Sequence, residues 1–235
     1  MNKTPPWWQN GVIYQIYPKS FQDTTGSGTG DLAGVIQRLD YLKQLGVDAL
    51  WLTPFYISPQ VDNGYDVANY TAIDPAYGTM SDFDHLVEQA HKRGLRVILD
   101  MVFNHSSTQH HWFHESLNPE SPYRDYYIWR DGTPTEPPNN WKSKFGGSAW
   151  RWHPESNQYY MHLWAPEQAD LNWENDNVRA ELKQIVNFWA DRGIDGLRLD
   201  VVNLVSKHQD FPTILTATAC VCIPTVRAFM NICAR

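Results

Sequence analysis

Arg96-Val-Ile-Leu-Asp-Met-Val-Phe-Asn-His105 decides the fold. Between Arg96 and Asn104 the only polar residue is Asp100, and a near-continuous apolar run of this length marks a strand buried on both faces. Just before it, Ser81–Arg93 has the spacing of a helix. Asp82 and Asp84 suit the positive end of its dipole, Lys92, Arg93 and Gly94 close it, and Ser81 is placed to cap it. A helix leading into a buried strand is the repeating unit of a parallel α/β sheet. The same alternation continues outward in both directions. Val12–Pro18 reads as a strand, Leu32–Leu45 as a helix stopped by Gly46, and Ala49–Phe55 as a second strand. On the other side, Asn175–Arg192 reads as a helix ending at Gly193, and Gly196–Val202 as a fourth strand. The expected class is α/β: the N-terminal half of a TIM (β/α)8 barrel, a fold that typically takes about 250 residues.

One connection breaks the rhythm. Ser106–Asn175 is rich in Trp, Tyr, Pro, Asn and Gly and has no sustained helical period. It is too long for a plain βα loop and is expected to be a small subdomain inserted after strand three. The predicted organisation is therefore residues 1–105, the first part of the barrel; 106–174, the inserted subdomain; 175–212, the barrel continuing to strand four; and 213–235, a tail of foreign character. All 26 acidic residues precede residue 213, and all three cysteines, Cys220, Cys222 and Cys233, follow it. So abrupt a switch reads as a change of reading frame rather than a further domain.

Composition excludes some functions. The net charge of −7 argues against nucleic acid as a partner, which needs a basic footprint. No apolar run reaches the length of a membrane-spanning helix, and the first residues lack the apolar core of a signal peptide. A cytoplasmic location and no membrane partner are expected. The body holds no cysteine, hence no disulfide. Eleven Trp and twelve Tyr fit a binder of pyranose rings and fit a large ordinary core almost as well.

Polar residues at the C-terminal ends of barrel strands point into the site. Here these are Asp100, Asn104 and His105 around strand three, and Arg198 and Asp200 on strand four. Residues two apart on a strand share a face, so Arg198 and Asp200 are expected to point the same way. Two readings stand: a structural ion pair, or a nucleophilic carboxylate kept ionised by its guanidinium neighbour.

Taken together, four segments resemble signature regions of the α-amylase family of glycoside hydrolases: Asp100-Met-Val-Phe-Asn-His105, Gly196-Leu-Arg-Leu-Asp200, Gln168-Ala-Asp-Leu-Asn172 and, for the α-glucosidase branch, Asp62-Asn-Gly-Tyr-Asp66. The resemblance covers residues 7 to 211. It implies that Asp200 is the nucleophile, Arg198 its partner, and His105 a sugar-binding histidine. It implies that Asp66 grips the hydroxyls of the terminal glucose and that Tyr65 stacks on that sugar. Gln168 and Phe145 join the substrate-binding set, although packing is the preferred reading for Phe145. Asp62, Asp100, Asn104 and Asp170 are support residues, and the Gln-Ala-Asp-Leu-Asn form resembles enzymes that cleave linkages other than α-1,4. The implied substrate is a disaccharide or oligosaccharide, cleaved by double displacement with retention. The family's general acid, a Glu after strand five, and a third carboxylate after strand seven find no match, so the chain as given is expected to be inactive and marginally folded. A non-catalytic relative or a sugar-binding remnant are the competing readings.

No cofactor is expected. Asp23, Thr25, Ser27, Thr29 and Asp31 place oxygen-bearing side chains at alternate positions among glycines and resemble a calcium loop of family members. Two carboxylates are few for calcium, and a glycine-rich turn is the preferred reading. His110-His111 lacks the further ligands of a zinc site.

Overall fold

A computed structural model gives the structure of residues 6–214; residues 215–235, most of the expected tail, lie outside the described residues. The expected strands form one four-stranded parallel sheet, Ile13–Ile16, Ala49–Leu52, Arg96–Met101 and Gly196–Leu199, adjacent in chain order. Ile13 lies opposite Ala49, and Leu52 lies opposite Leu99. This is the order of the first four strands of a (β/α)8 barrel, and the fold is the N-terminal part of one.

The strands are shorter than their apolar runs, for local reasons. Pro18 opens a helical turn, Pro18–Phe21, which suits proline's fixed φ and ends the first strand early. The helix expected over Leu32–Leu45 is two, Leu32–Gln37 and Leu39–Leu45. Between them Arg38 has φ −99° and ψ 2° and donates its N–H to Val35 and Ile36, while its guanidinium holds Gln22 Oε1. The cap expected at Ser81 belongs to Thr79. The helix is Met80–Lys92, with Thr79 and Asp82 forming a reciprocal capping box that satisfies two orphan donors.

The chain packs as two compact units. The first holds the described residues up to Ile57, Thr71–Met101 and Asn187–Arg198; the second holds Ser58–Tyr70, Val102–Val186 and the described residues from Leu199 on. In the first, Phe83 stacks on Phe55 at 5.5 Å and meets Trp189 edge-on at 4.9 Å, and Leu32, Val35, Leu39 and Leu42 are fully buried.

The second unit is broader than the inserted subdomain. A three-stranded antiparallel sheet, Trp129–Asp131, Gln158–Met161 and Trp150–His153 with Gln158–Met161 central, supplies its core. Phe211 enters that core beside Trp141 and Trp150. The indole N–H of Trp141 donates to the Pro212 carbonyl at 2.7 Å, and Asn140 exchanges two hydrogen bonds with Ile214. Tryptophan and phenylalanine bury large apolar areas, which ties the segment after Leu199 into this unit.

Candidate active site

In the first unit Asp100 is buried on its strand. Its carboxylate accepts the indole N–H of Trp51 at 3.0 Å and Arg198 Nη1 at 2.9 and 3.1 Å. The guanidinium carbon of Arg198 lies 4.9 Å from the Trp51 ring centroid. Asp100 thus supplies Arg198 with a partner that two-residue alternation did not suggest. Alternation also stops short of Asp200: the strand ends at Leu199, and Val201 adopts φ 39°, ψ 34°. A β-branched residue there is strained by about 1–3 kcal/mol, and the chain turns at Asp200 instead of running on.

The rest of the candidate residues lie in the second unit. His105–Ser107 pairs antiparallel with Gln168–Asp170, placing His105 opposite Asp170. Directly opposed residues share a face, as do Gln168 and Asp170 two positions apart, so all three converge. Gln168 is fully buried. Its Oε1 accepts the Ala165 N–H at 3.0 Å, which orients the amide, and its Nε2 donates to Asp62 Oδ2 at 2.9 Å and to the Tyr65 carbonyl at 3.2 Å. His105, also buried, places Nε2 3.1 Å from the same carbonyl. Asp200 belongs to this cluster: its charge helps to raise the pKa of Asp62 and offsets part of the lowering at His105. Burial is the main cause of both shifts, raising Asp62 and lowering His105. The imidazole is thereby held neutral and Asp62 is drawn toward protonation.

The two acids of the Asp62–Asp66 loop have different environments. Asp66 is 0% exposed. Its carboxylate accepts Ser58 Oγ at 2.9 Å and the Val61 and Asp62 amides at 2.9 and 3.0 Å, so it closes its own loop. Asp62, expected as a support, is the half-buried acid beside Gln168, His105 and Asp200. Asp66→Ala strands three donors, each at about 1–3 kcal/mol when buried. It should lower stability in urea melts by at least about 2 kcal/mol more than Asp62→Ala; equal losses would contradict the assignment. Phe145 is 60% exposed and packs edge-on against Trp164 at 5.4 Å.

Lys207 escaped the sequence reading. It is 2% exposed, donates to Asn104 Oδ1 at 2.8 Å and pairs with Asp170 Oδ2 at 3.0 Å. Asp170 Oδ1 accepts Asn104 Nδ2 at 3.2 Å and the Leu163 amide at 3.1 Å. The one available signal was an imbalance: several acids expected to be buried, with Arg198 the single cation assigned to them.

The Asp23–Asp31 loop is closed by its own hydrogen bonds. Asp23 accepts the amides of Thr25, Gly26 and Gly28 and the Thr25 hydroxyl. Asp31 accepts from Thr24 and caps the Leu32–Gln37 helix through the Gly34 amide. Ser27 Oγ accepts the Thr29 amide. The side-chain oxygens of Asp23, Ser27 and Asp31 face N–H or O–H donors. Amides lower the Asp23 pKa from 3.8 to about 2, led by Gly28 and Thr25. With the folded pKa depressed, this stabilisation is complete above the unfolded pKa and is lost as pH falls through about 2. The Asp23 carboxyl carbon should titrate near pH 2 by NMR, and calcium or chelator should leave Tm unchanged. A midpoint near 4, or a rise in Tm with calcium, would contradict a self-closed loop. His110 caps the His111–Ser116 helix through Nδ1, and among the described residues no group of three His, Cys, Asp or Glu side chains is placed to hold a metal.

A parallel α/β sheet, a neutral buried histidine and a carboxylate just past the end of a strand are features of barrel glycoside hydrolases. A profile of the α-amylase catalytic domain matches residues 15–231. Trehalose-6-phosphate hydrolase of Escherichia coli (strain K12) is 79% identical over 212 residues, 90% of this chain and 38% of that protein. Oligo-1,6-glucosidase of Heyndrickxia coagulans is 51% identical over 208 residues, 88% of this chain and 38% of that protein. The crystal structure of Bacillus licheniformis trehalose-6-phosphate hydrolase superposes with a TM-score of 0.87 at 57% identity, covering 90% of this chain and 38% of that one. The chain belongs to the α-amylase family. It spans 38% of the length of these relatives.

Proposed function

We propose that the protein to which this chain contributes its first barrel strands hydrolyses trehalose 6-phosphate to glucose and glucose 6-phosphate with retention. The carrying observation is that the Asp200 carboxylate lies within electrostatic reach of both His105 and Asp62. An Asp200 oxygen attacks the anomeric carbon and forms a glucosyl ester. The bond to the leaving oxygen breaks with its electron pair, and that oxygen takes a proton from a general acid. Water then cleaves the ester. His105 lines the glucose site, and Asp62 takes the hydroxyl-gripping role that the resemblance assigned to Asp66, whose carboxylate already accepts three donors from its own loop. Tyr65 and Gln168 complete the glucose site. No step needs a metal.

The 79% identity to the E. coli enzyme supports the phosphorylated substrate. Among the described residues no helix is long and apolar enough to cross a membrane. A cytoplasmic location fits a charged sugar phosphate, which does not cross membranes unaided, and a body without cysteines. The test is an assay of a polypeptide spanning the relatives' full length against trehalose 6-phosphate, trehalose and isomaltose. A kcat/KM for trehalose 6-phosphate well above the other two is expected; a preference for isomaltose would replace this reading with an oligo-1,6-glucosidase.

A further inference from the structure

We infer that Lys207 is a positioning residue that fixes the tautomer of His105 through the side-chain amide of Asn104. The imidazole lies between two amides that make opposite demands. Asn104 Nδ2 is 3.1 Å from Nδ1, and Gln168 Nε2 is 3.1 Å from Nε2. An amide nitrogen is a donor, so each asks the ring nitrogen it faces to be bare, and a neutral imidazole can oblige only one of them.

Lys207 settles the contest. Its ammonium, which only donates, sits 2.8 Å from Asn104 Oδ1 and prevents that amide from turning over. Asn104 Nδ2 is then committed as a donor, one hydrogen to Asp170 Oδ1 and the other to His105 Nδ1. Gln168 has other uses for its two hydrogens, the Asp62 carboxylate and the Tyr65 carbonyl. Nδ1 is therefore bare, and Nε2 carries the proton toward Tyr65 O, whose two lone pairs accept both His105 and Gln168. Lys207, Asn104, His105 and Asp170 are each at most 2% exposed, so water does not compete. The charged groups that interact with the ring are Asp170, Asp200, Lys207 and Asp62. The ammonium thus reaches the proposed sugar site without touching it: it secures an N–H, rather than a lone pair, on the ring nitrogen beside the Tyr65 carbonyl and Gln168. This last step rests on the proposed role of His105; the tautomer itself does not.

Long-range 1H–15N NMR of the labelled chain without sugar tests it, with the His105 ring assigned by its loss in His105→Gln. The native protein should show a protonated Nε2 and a bare Nδ1. Two groups hold the Asn104 amide, Lys207 at its oxygen and Asp170 at its nitrogen; in the double variant Lys207→Met, Asp170→Leu both are gone, the amide can turn its oxygen to the ring, and the proton should move to Nδ1 in most molecules. Asn104→Asp covers the case in which the double variant does not fold. It leaves Lys207 an oxygen partner but gives Nδ1 only acceptors, so Nδ1 should become protonated. A native Nδ1–H form, an unchanged Nε2–H form in the folded double variant, or an unchanged form in Asn104→Asp would each overturn the proposal. A different substrate preference would leave these spectra as they are.

Discussion

Asp170→Ala is expected to cost the protein about 3–5 kcal/mol of folding stability, the range for breaking one partner out of a buried ion pair. Asp170 is 0% exposed and Lys207 2% exposed, so the ammonium left behind cannot recover its hydration. Its remaining contacts would be Asn104 Oδ1 and the Val205 carbonyl at 3.4 Å, both neutral. The Leu163 amide and one Asn104 hydrogen would lose their acceptor as well. Domains are stable by only about 5–15 kcal/mol, so this one change removes a large share. Urea melts followed by near-UV circular dichroism would show the midpoint falling. Removing both charges with Asp170→Leu and Lys207→Met should restore part of the loss, because an apolar pair carries no desolvation cost; Asn104 would still lack partners, so recovery would be incomplete. A single-variant loss below about 1 kcal/mol would show that water reaches the pair.

This ion pair also marks where the sequence stopped being legible. The four strands could be read because burial on both faces leaves long apolar runs, and the helices because their period and end charges are local. Such signals blur at the ends. Thr79 and Ser81 are both good caps, and only the reciprocal bond with Asp82 decides between them. Strand four could not be bounded from its side chains, since the left-handed backbone at Val201 is carried by a residue that ordinarily favours strands. The site divides the same way. His105, Gln168 and Asp200 sit in motifs whose order along the chain is informative. Asp62 and Asp66 are identical in type and four residues apart; burial and three donors to Asp66 separate them, and neither leaves a trace in composition. Lys207 meets Asn104 at a separation of 103 residues from a stretch without period or motif. A buried lysine looks like any surface lysine until its partners are known.

The largest functional effect is expected at Asp200. In a polypeptide spanning the relatives' full length, Asp200→Asn should lower kcat for trehalose 6-phosphate by about 10⁴–10⁶-fold, the order seen when one member of a covalent-catalysis unit is removed. Asparagine keeps the size and the turn before Val201 but offers a neutral amide where a carboxylate must attack carbon. It also removes a negative charge that raises the pKa of both Asp62 and His105. Both should therefore titrate lower in the variant: Asp62 becomes easier to ionise, and His105 is held still more firmly neutral. KM should change much less than kcat, because Asp62, Tyr65, His105 and Gln168 remain to hold the glucose. A structural Asp200 would give the opposite pattern, with a lower Tm and activity falling only in proportion to the folded fraction. The discriminating pair of measurements is thus kcat together with Tm: a near-native Tm with activity reduced at least about 10⁴-fold supports the nucleophile, and a variant retaining more than about a hundredth of native kcat would exclude it, since covalent catalysis does not survive the loss of its attacking atom at that level.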